Sequence, residues 1–187
     1  MGNRLFVSVD LDGLAGDVAA AQAPLEGLDG LSLTDPAQAH VTLKFLGDVE
    51  PDRIAALRSA LEAAVAESGV TVFEAEFGGL GVFPSLEYIT VVWLGVQRGG
   101  DALTTLHRAI ESRTTAMGFE AEDHAFTPHV TIARMNHAAQ KDRVRQHVTE
   151  GDPQVGALTV DAVRLTRSTL EPDGPSYETV AAVPLPR

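Results

Sequence analysis

Cysteine is absent from the 187 residues, and lysine occurs only at Lys44 and Lys141. Without cysteine the chain cannot form disulfides, use a thiolate nucleophile or bind zinc through sulfur. Long apolar runs are missing too, since the longest strand-like run, Tyr88–Val96, is about half the roughly 18 residues that a membrane-spanning helix needs. The first residues carry no signal-peptide pattern. We therefore expect a soluble, cytoplasmic protein that does not associate with membranes.

Positive charge is scarce, because 14 basic residues stand against 26 acidic ones and the net charge is −12. A protein that coats nucleic acid neutralises phosphates and needs the opposite balance. Any contact with nucleic acid is therefore expected to be local, at one end or one phosphate. An acidic surface that is nearly free of lysine is also typical of a salt-rich, halophile-like cytoplasm, where screening weakens self-repulsion.

The order of predicted elements repeats along the chain as strand, helix, strand, helix, strand, and a further strand follows at Tyr177–Val183. The predicted strands of the repeat are Arg4–Asp10, His40–Leu46, Val70–Phe77, Tyr88–Val96, His129–Arg134 and Val155–Thr166. The predicted helices are Leu14–Ala23, Pro51–Ser68, Asp101–Met117 and Ala139–Glu150, and Gly78–Ser85 is predicted to be a glycine-rich loop. This order indicates one domain over residues 1–187 with an internal duplication, its halves at about 1–86 and 87–187, in an α+β fold with antiparallel-rich sheets.

A short motif occurs once in each half, as His40-Val41-Thr42 and His129-Val130-Thr131. Side chains two apart on a strand share a face, so each imidazole lies beside a hydroxyl. If the duplication brings the two strands together, both pairs point into one pocket. One imidazole can then take a proton while the other gives one, and the hydroxyls can hold phosphoryl oxygens. A single copy is more typical of a structural histidine, whereas two equivalent copies favour phosphodiester chemistry without a metal.

Alternation along the same strands makes predictions for their neighbours. Lys44 is expected on the face of His40, where it adds positive charge at the rim of the cleft, and Phe45 is expected in the core. Arg134 is expected on the face opposite His129, and it can reach the phosphate only if its strand ends or bulges. The other histidines, which have no spacing typical of a metal site, are predicted to be solvated: His107, His124, His137 and His147. Neither a metal nor a cofactor is predicted.

Several segments carry a family resemblance beyond the histidine motifs. They are Arg4–Val7, His40–Gly47 (HVTLKFLG), Gly79–Pro84 (GLGVFP), Trp93–Gly95, Gly118-Phe119, Phe126–Arg134 (FTPHVTIAR) and Ser168–Tyr177 (STLEPDGPSY). With these the chain resembles the two-histidine phosphoesterase superfamily, and within it the RNA 2′,3′-cyclic phosphodiesterases, which are also called 2′-5′ RNA ligase-like proteins.

The resemblance implies two pseudo-symmetric lobes with a cleft between them, and the opening of a 2′,3′-cyclic phosphate to a 2′-phosphate. It also implies that His40 and His129 are the catalytic pair and that Thr42 and Thr131 hold the phosphate. Arg134 belongs to the second motif and is a further candidate for phosphate binding. We assign His129 as the proton acceptor and His40 as the proton donor, on a fold whose near symmetry also allows the reverse.

Alternative functions remain open at this level. The same pocket can serve a small nucleotide 2′,3′-cyclic phosphate or an ADP-ribose 1″,2″-cyclic phosphate, as arises in tRNA splicing. It can also support reversible 2′-5′ RNA ligation. A non-catalytic module that binds phosphorylated RNA ends is the alternative from another class, and two intact His–Thr pairs argue against it. The expected partner is an RNA end or a small cyclic nucleotide, and we expect a monomer.

Overall fold

The computed structural model describes residues 3–187. Its strands are β1 (Asn3–Asp10), β2 (Leu31–Leu33), β3 (His40–Val49), β4 (Phe73–Pro84), β5 (Ile89–Arg98), β6 (His129–Met135), β7 (Gln154–Val160), β8 (Ala162–Glu171) and β9 (Gly174–Pro184). Its α-helices are α1 (Ala15–Gln22), α2 (Ile54–Ser68), α3 (Gly100–Ala116) and α4 (Lys141–Glu150). Short 3₁₀ turns lie at Ala23–Leu25, Pro36–Gln38 and Pro51–Arg53. No helix within these residues combines the length and the hydropathy needed to cross a membrane.

The strands form one antiparallel sheet in the order β7-β4-β5-β6-β3-β1-β8-β9, with β2 added beside β6. Two groups of four strands meet in its middle, where β3 and β6 pair only at Val41 and Val130. Helices α2 and α3 pack on each other and cover one group, while α1 and α4 contact the other. The predicted α+β class with an antiparallel sheet is confirmed.

The two groups of strands do not coincide with the two halves of the sequence. Strand β4 comes from the first half but pairs with β5 and β7, and β8 comes from the second half but pairs with β1. Helix α3 likewise crosses over, since it packs against α2 and β3. Each group of strands is therefore built from both halves of the chain, and the internal duplication about residue 86 stays a prediction.

Two predicted boundaries are wrong. Gly78–Ser85 is not a loop, because strand β4 runs on to Pro84. The glycine at 81 serves packing there, since a Cβ on Gly81 would lie 2.2 Å from the ring of Trp93 on the neighbouring strand. The single strand predicted over Val155–Thr166 is two strands, because the chain leaves the sheet edge beside β4 at Asp161 and re-enters beside β1.

Apolar side chains at alternate strand positions lie on the side of the sheet that faces the helices and are buried against them. Val41 and Val130 are fully buried, as are Leu57 and Leu61 of α2, so the strands that carry the motifs are anchored in the core. Helix α2 ends at Gly69, whose φ of 72° is the left-handed conformation that glycine adopts without strain. The opposite side of the sheet, between the two groups of strands, stays open.

Candidate active site

The two histidine motifs meet where β3 and β6 pair. Val41 and Val130 are opposite each other in an antiparallel pair, so the residue before one is opposite the residue after the other. His40 is therefore across from Thr131, and Thr42 is across from His129. The strands pair at this one position only and diverge on both sides of it. All four polar side chains line the same open cavity, whose volume is about 1620 Å³. The structure therefore brings the two predicted His–Thr pairs together.

Both imidazoles are held in the same way. Nδ1 of His40 lies 2.9 Å from the carbonyl oxygen of Gln38, and Nδ1 of His129 lies 2.7 Å from that of Thr127. A carbonyl oxygen only accepts, so each Nδ1 carries a hydrogen and donates it. Nε2 of each ring is then free to exchange a proton with a bound molecule, which is the arrangement that general acid–base catalysis needs.

Aromatic side chains surround both imidazoles. The ring of His40 packs 5.0 Å from Phe6 and 5.2 Å from Tyr177, measured between centroids. The ring of His129 packs 4.9 Å from Phe83, edge to face, and 5.8 Å from Trp93. These walls fix the ring planes and exclude water from one side of each imidazole.

Burial has a direct electrostatic consequence, because removing water disfavours the charged imidazolium. Desolvation lowers the pKa of His40, against the opposing effects of the Gln38 carbonyl and the Asp10 carboxylate. Desolvation also lowers the pKa of His129, and the positive charges of His40 and Arg134 lower it further. Both histidines therefore release a proton more readily than a free imidazole does.

A bulge in β6 decides the position of Arg134. Val92 and Trp93 are consecutive on β5, yet their partners on β6 are Ala133 and Thr131, so Ile132 is an extra residue. The extra residue shifts the alternation by one position. Ile132 and Ala133 are both fully buried, and the next residue, Arg134, is exposed and lines the cavity on the side of His129. The structure thus provides the bulge that Arg134 needs to reach the cleft.

The equivalent bulge in β3 has the opposite effect on Lys44. Val7 and Ser8 are consecutive on β1, whereas their partners on β3 are Lys44 and Thr42, so Leu43 is the extra residue. Lys44 therefore shares the buried face of Val7, with 2% of the residue exposed. The prediction that Lys44 shares the face of His40 at the rim of the cleft is wrong, because the bulge reverses its direction.

The ammonium of Lys44 is instead neutralised in the protein interior. Its Nζ donates to both carboxylate oxygens of Glu111, each at 3.1 Å, and to the carbonyl oxygen of Glu120. Phe45 takes the direction expected for Lys44, and it is 65% exposed against the cavity. The expectation that Phe45 lies in the core is therefore also wrong. Phe45 on β3 and Arg134 on β6 occupy corresponding positions on the two sides of the cleft.

Comparison with protein families matches residues 12–171 to the 2′-5′ RNA ligase superfamily. The chain belongs to this superfamily. A relative from Methanothermobacter thermautotrophicus named RNA 2′,3′-cyclic phosphodiesterase is 34% identical over 177 residues, which are 93% of this chain and 94% of the relative. A relative of the same name from Archaeoglobus fulgidus is 33% identical over 178 residues, covering 94% and 96% of the two chains.

Solved structures of other proteins share the fold. The protein TT0787 of Thermus thermophilus superimposes with a TM-score of 0.79 at 25% identity, with 97% of each chain covered. Escherichia coli LigT complexed with 3′-AMP gives a TM-score of 0.79 at 22% identity over the full length of both chains. The bulged histidine strands of this superfamily member thus lie in a fold that is shared over its whole length.

Sequence reasoning missed several groups of the site. His107 is not solvated as predicted, because it is 8% exposed, stacks on Phe126 at 4.2 Å and bonds through Nδ1 to the carbonyl of the bulge residue Leu43. Gln38 was missed as well, although its carbonyl holds His40 and its Oε1 accepts from the backbone of Tyr177.

Within residues 3–187, no three histidine or acidic side chains are grouped so that they could hold a metal ion.

Proposed function

We propose that this protein hydrolyses 2′,3′-cyclic phosphates to 2′-phosphates by acid–base catalysis with His40 and His129. The observation that carries the proposal is the pair of imidazoles on adjoining strands, each tied to a carbonyl through Nδ1 and each lining one cavity beside a threonine hydroxyl. The name of the archaeal relatives, RNA 2′,3′-cyclic phosphodiesterase, supports the same substrate class.

The reaction follows from these positions in one displacement. His129 takes a proton through Nε2 from a water molecule, which attacks the phosphorus of the cyclic phosphate. The bond between phosphorus and the 3′ oxygen breaks, and Nε2–H of His40 protonates that oxygen. The product carries a 3′ hydroxyl and a 2′-phosphate, and the two histidines have exchanged their protonation states, which solvent then restores.

Charge that develops on the phosphoryl oxygens needs donors already in place. The hydroxyls of Thr42 and Thr131 lie on the cleft face beside the imidazoles and are proposed to donate to these oxygens. Arg134 supplies positive charge on the same face, and no acidic side chain within residues 3–187 forms a salt bridge with it. A role for Lys44 in this site is not proposed, because Glu111 already neutralises it.

A primary alcohol can replace water in the same step. If the 5′ hydroxyl of a second RNA attacks the phosphorus, the product is a 2′-5′ linkage and the proton transfers are unchanged. Reversible ligation therefore needs no further catalytic group, and it depends on whether the cavity admits a second strand.

The charge of the rim favours a small substrate as a second candidate. Four carboxylates border the cavity (Asp35, Glu122, Glu171 and Asp173), and the basic residues that border it are Arg4, Arg134 and Lys44, whose charge Glu111 neutralises. A long RNA would carry its phosphates past these carboxylates, whereas a mononucleotide 2′,3′-cyclic phosphate or an ADP-ribose 1″,2″-cyclic phosphate presents its charge mainly at the catalytic centre. Comparing kcat/KM on a mononucleotide and on a cyclic-ended oligonucleotide distinguishes the two substrate classes.

The proposal is tested by turnover of a 2′,3′-cyclic nucleotide by the wild type, His40→Ala and His129→Ala. Each substitution should lower kcat by about 10²–10⁴-fold, since each removes one proton-transfer group. His137→Ala is the matched control, because His137 is exposed and lies outside the cavity. Near-wild-type turnover in either variant would refute the two-histidine mechanism, and a wild type that binds the nucleotide without turnover would identify a binding module.

A further inference from the structure

The two halves of the site differ at the residue across from each histidine. On β1, Asp10 is the cross-strand partner of His40. On β5 the partner of His129 is Gly95, and a Cβ at that position would lie 3.0 Å from the carbonyl oxygen of Gly78. A side chain at 95 would need its backbone neighbour to give way. Only His40 therefore has a carboxylate across from it.

The carboxylate of Asp10 is held in a fixed orientation. The hydroxyl of Ser8 donates to Oδ1 at 2.8 Å, and Nη1 of Arg164 donates to Oδ2 at 2.6 Å. Ser8 is itself fully buried and lies 3.0 Å from the hydroxyl of Thr166. Asp10 makes no hydrogen bond with His40, whose Nδ1 is taken by Gln38, so the carboxylate acts on the imidazole through space.

We propose that Asp10 is a positioning residue for the catalytic proton: its carboxylate favours the proton on His40, which makes His40 the acid and leaves His129 as the base. The inference rests on the proposed function, because the roles of acid and base exist only if the pair is catalytic. It goes beyond that function by naming a residue that distinguishes two imidazoles whose Nδ1 atoms are held alike.

The other charged and titratable groups that face His40 supply no negative charge to favour its imidazolium. Arg134 and His129 face it from β6, Tyr177 packs on it from β9, and Arg164 of β8 reaches it only through Asp10. The charge of Arg134 lowers the pKa of both histidines, so it acts on the acid and the base alike. The carboxylate of Asp10 opposes the effect of burial on the pKa of His40, and it does not do so for His129.

The test is an NMR titration of the histidine ring signals in the full-length protein, without substrate. Asp10→Asn should lower the pKa of His40, because it removes the carboxylate whose charge favours the imidazolium. Arg164→Gln should move the same pKa upward, because it removes a positive charge and leaves the Asp10 carboxylate uncompensated. Asp12→Asn is the matched control: Asp12 binds the same arginine at 2.7 Å, but its side chain is 70% exposed and is not the partner of His40.

The alkaline limb of kcat/KM against pH should move in the same direction as the pKa of His40 in each variant, and Asp12→Asn should leave it in place. An unchanged His40 titration in Asp10→Asn, or a downward shift in Arg164→Gln, would overturn the inference. If Asp10→Asn does not fold, the sign of the Arg164→Gln shift decides alone. A wild type without hydrolytic activity refutes the proposed function, and the titration still shows separately whether Asp10 favours the proton on His40.

Discussion

Removing the negative charge from Glu111 should destabilise the fold while leaving the chemistry of the cleft intact. The side chain of Lys44 is 1% exposed, and both oxygens of Glu111 accept from it at 3.1 Å. Breaking a buried ion pair by removing one partner costs about 3–5 kcal/mol, because the remaining charge has no counter-charge. Glu111 itself is 21% exposed, so water compensates in part, and we expect about 3 kcal/mol for Glu111→Gln.

The magnitude can be read from thermal and urea unfolding. For a chain of this size each 1 kcal/mol lowers Tm by about 2–4 °C, so Glu111→Gln should melt about 6–12 °C below the wild type. Replacing both partners, as Lys44→Met with Glu111→Leu, should recover much of this loss, because an apolar pair of similar volume removes the buried charge. Recovery is incomplete because Glu111 also accepts from the backbone N–H of Glu122 at 3.0 Å.

A matched exposed pair provides the control. Arg58 and Glu62 form an i,i+4 pair with both side chains more than half exposed, and Glu62→Gln should change stability by no more than about 0.5 kcal/mol. The reasoning about the β3 bulge would be refuted if Glu111→Gln cost less than about 1 kcal/mol. It would be refuted equally if Lys44→Met raised KM for a cyclic phosphate without lowering stability, since Lys44 would then face the cleft.

Three further outcomes follow from the site. Because burial lowers the pKa of both histidines, the plot of kcat/KM against pH should be bell-shaped, with its maximum at or below about pH 6.5, the ordinary pKa of histidine. A profile with a single limb would exclude one histidine from proton transfer. Between the lowered pKa values of the two folded-state histidines and about pH 6.5, the unfolded chain binds more protons than the folded one. The free energy of unfolding should therefore fall as the pH drops through that window, and it should fall less in His40→Gln. An identical dependence on pH in the variant and the wild type would contradict this. Arg134→Met should lower kcat/KM by about 100-fold, with Arg143→Met as the control, whereas equal activities would show that Arg134 does not contact the phosphate.

The sequence predicts the features that arise from a pattern within one segment, and it does not predict those that arise from pairing between segments. The motif strands and α2 follow from their own apolar periodicity, so His40, Thr42, His129 and Thr131 could be placed on one face of their strands. The bulges at Leu43 and Ile132 come from mismatched pairing with β1 and β5, and ordinary apolar residues carry no local signal for them. Sequence alternation therefore assigned the wrong faces to the residues that follow each bulge.

Other features depend on contacts between distant segments. In the sequence, Gly81 is typical of a loop. In the structure the ring of Trp93 lies over it, and the strand needs glycine at this position because a Cβ would clash with the ring. His107 looks like a solvated helix residue until α3 is packed on β3, where its ring bonds the carbonyl of Leu43. Strand β4 pairs with strands of the second half, and β8 pairs with a strand of the first half. This pairing depends on the whole sheet, and the order of elements along the chain does not predict it.

The central claim is that His40 and His129 break one defined bond of a cyclic phosphate. The most direct test is to incubate the wild-type protein with a nucleoside 2′,3′-cyclic phosphate in excess chelator and to identify the product isomer by ³¹P NMR. Cleavage between phosphorus and the 3′ oxygen predicts the 2′-phosphate as the sole product, formed at the rate seen without chelator. A 3′-phosphate, a mixture of isomers, or turnover that chelator abolishes and one divalent ion restores would contradict the account.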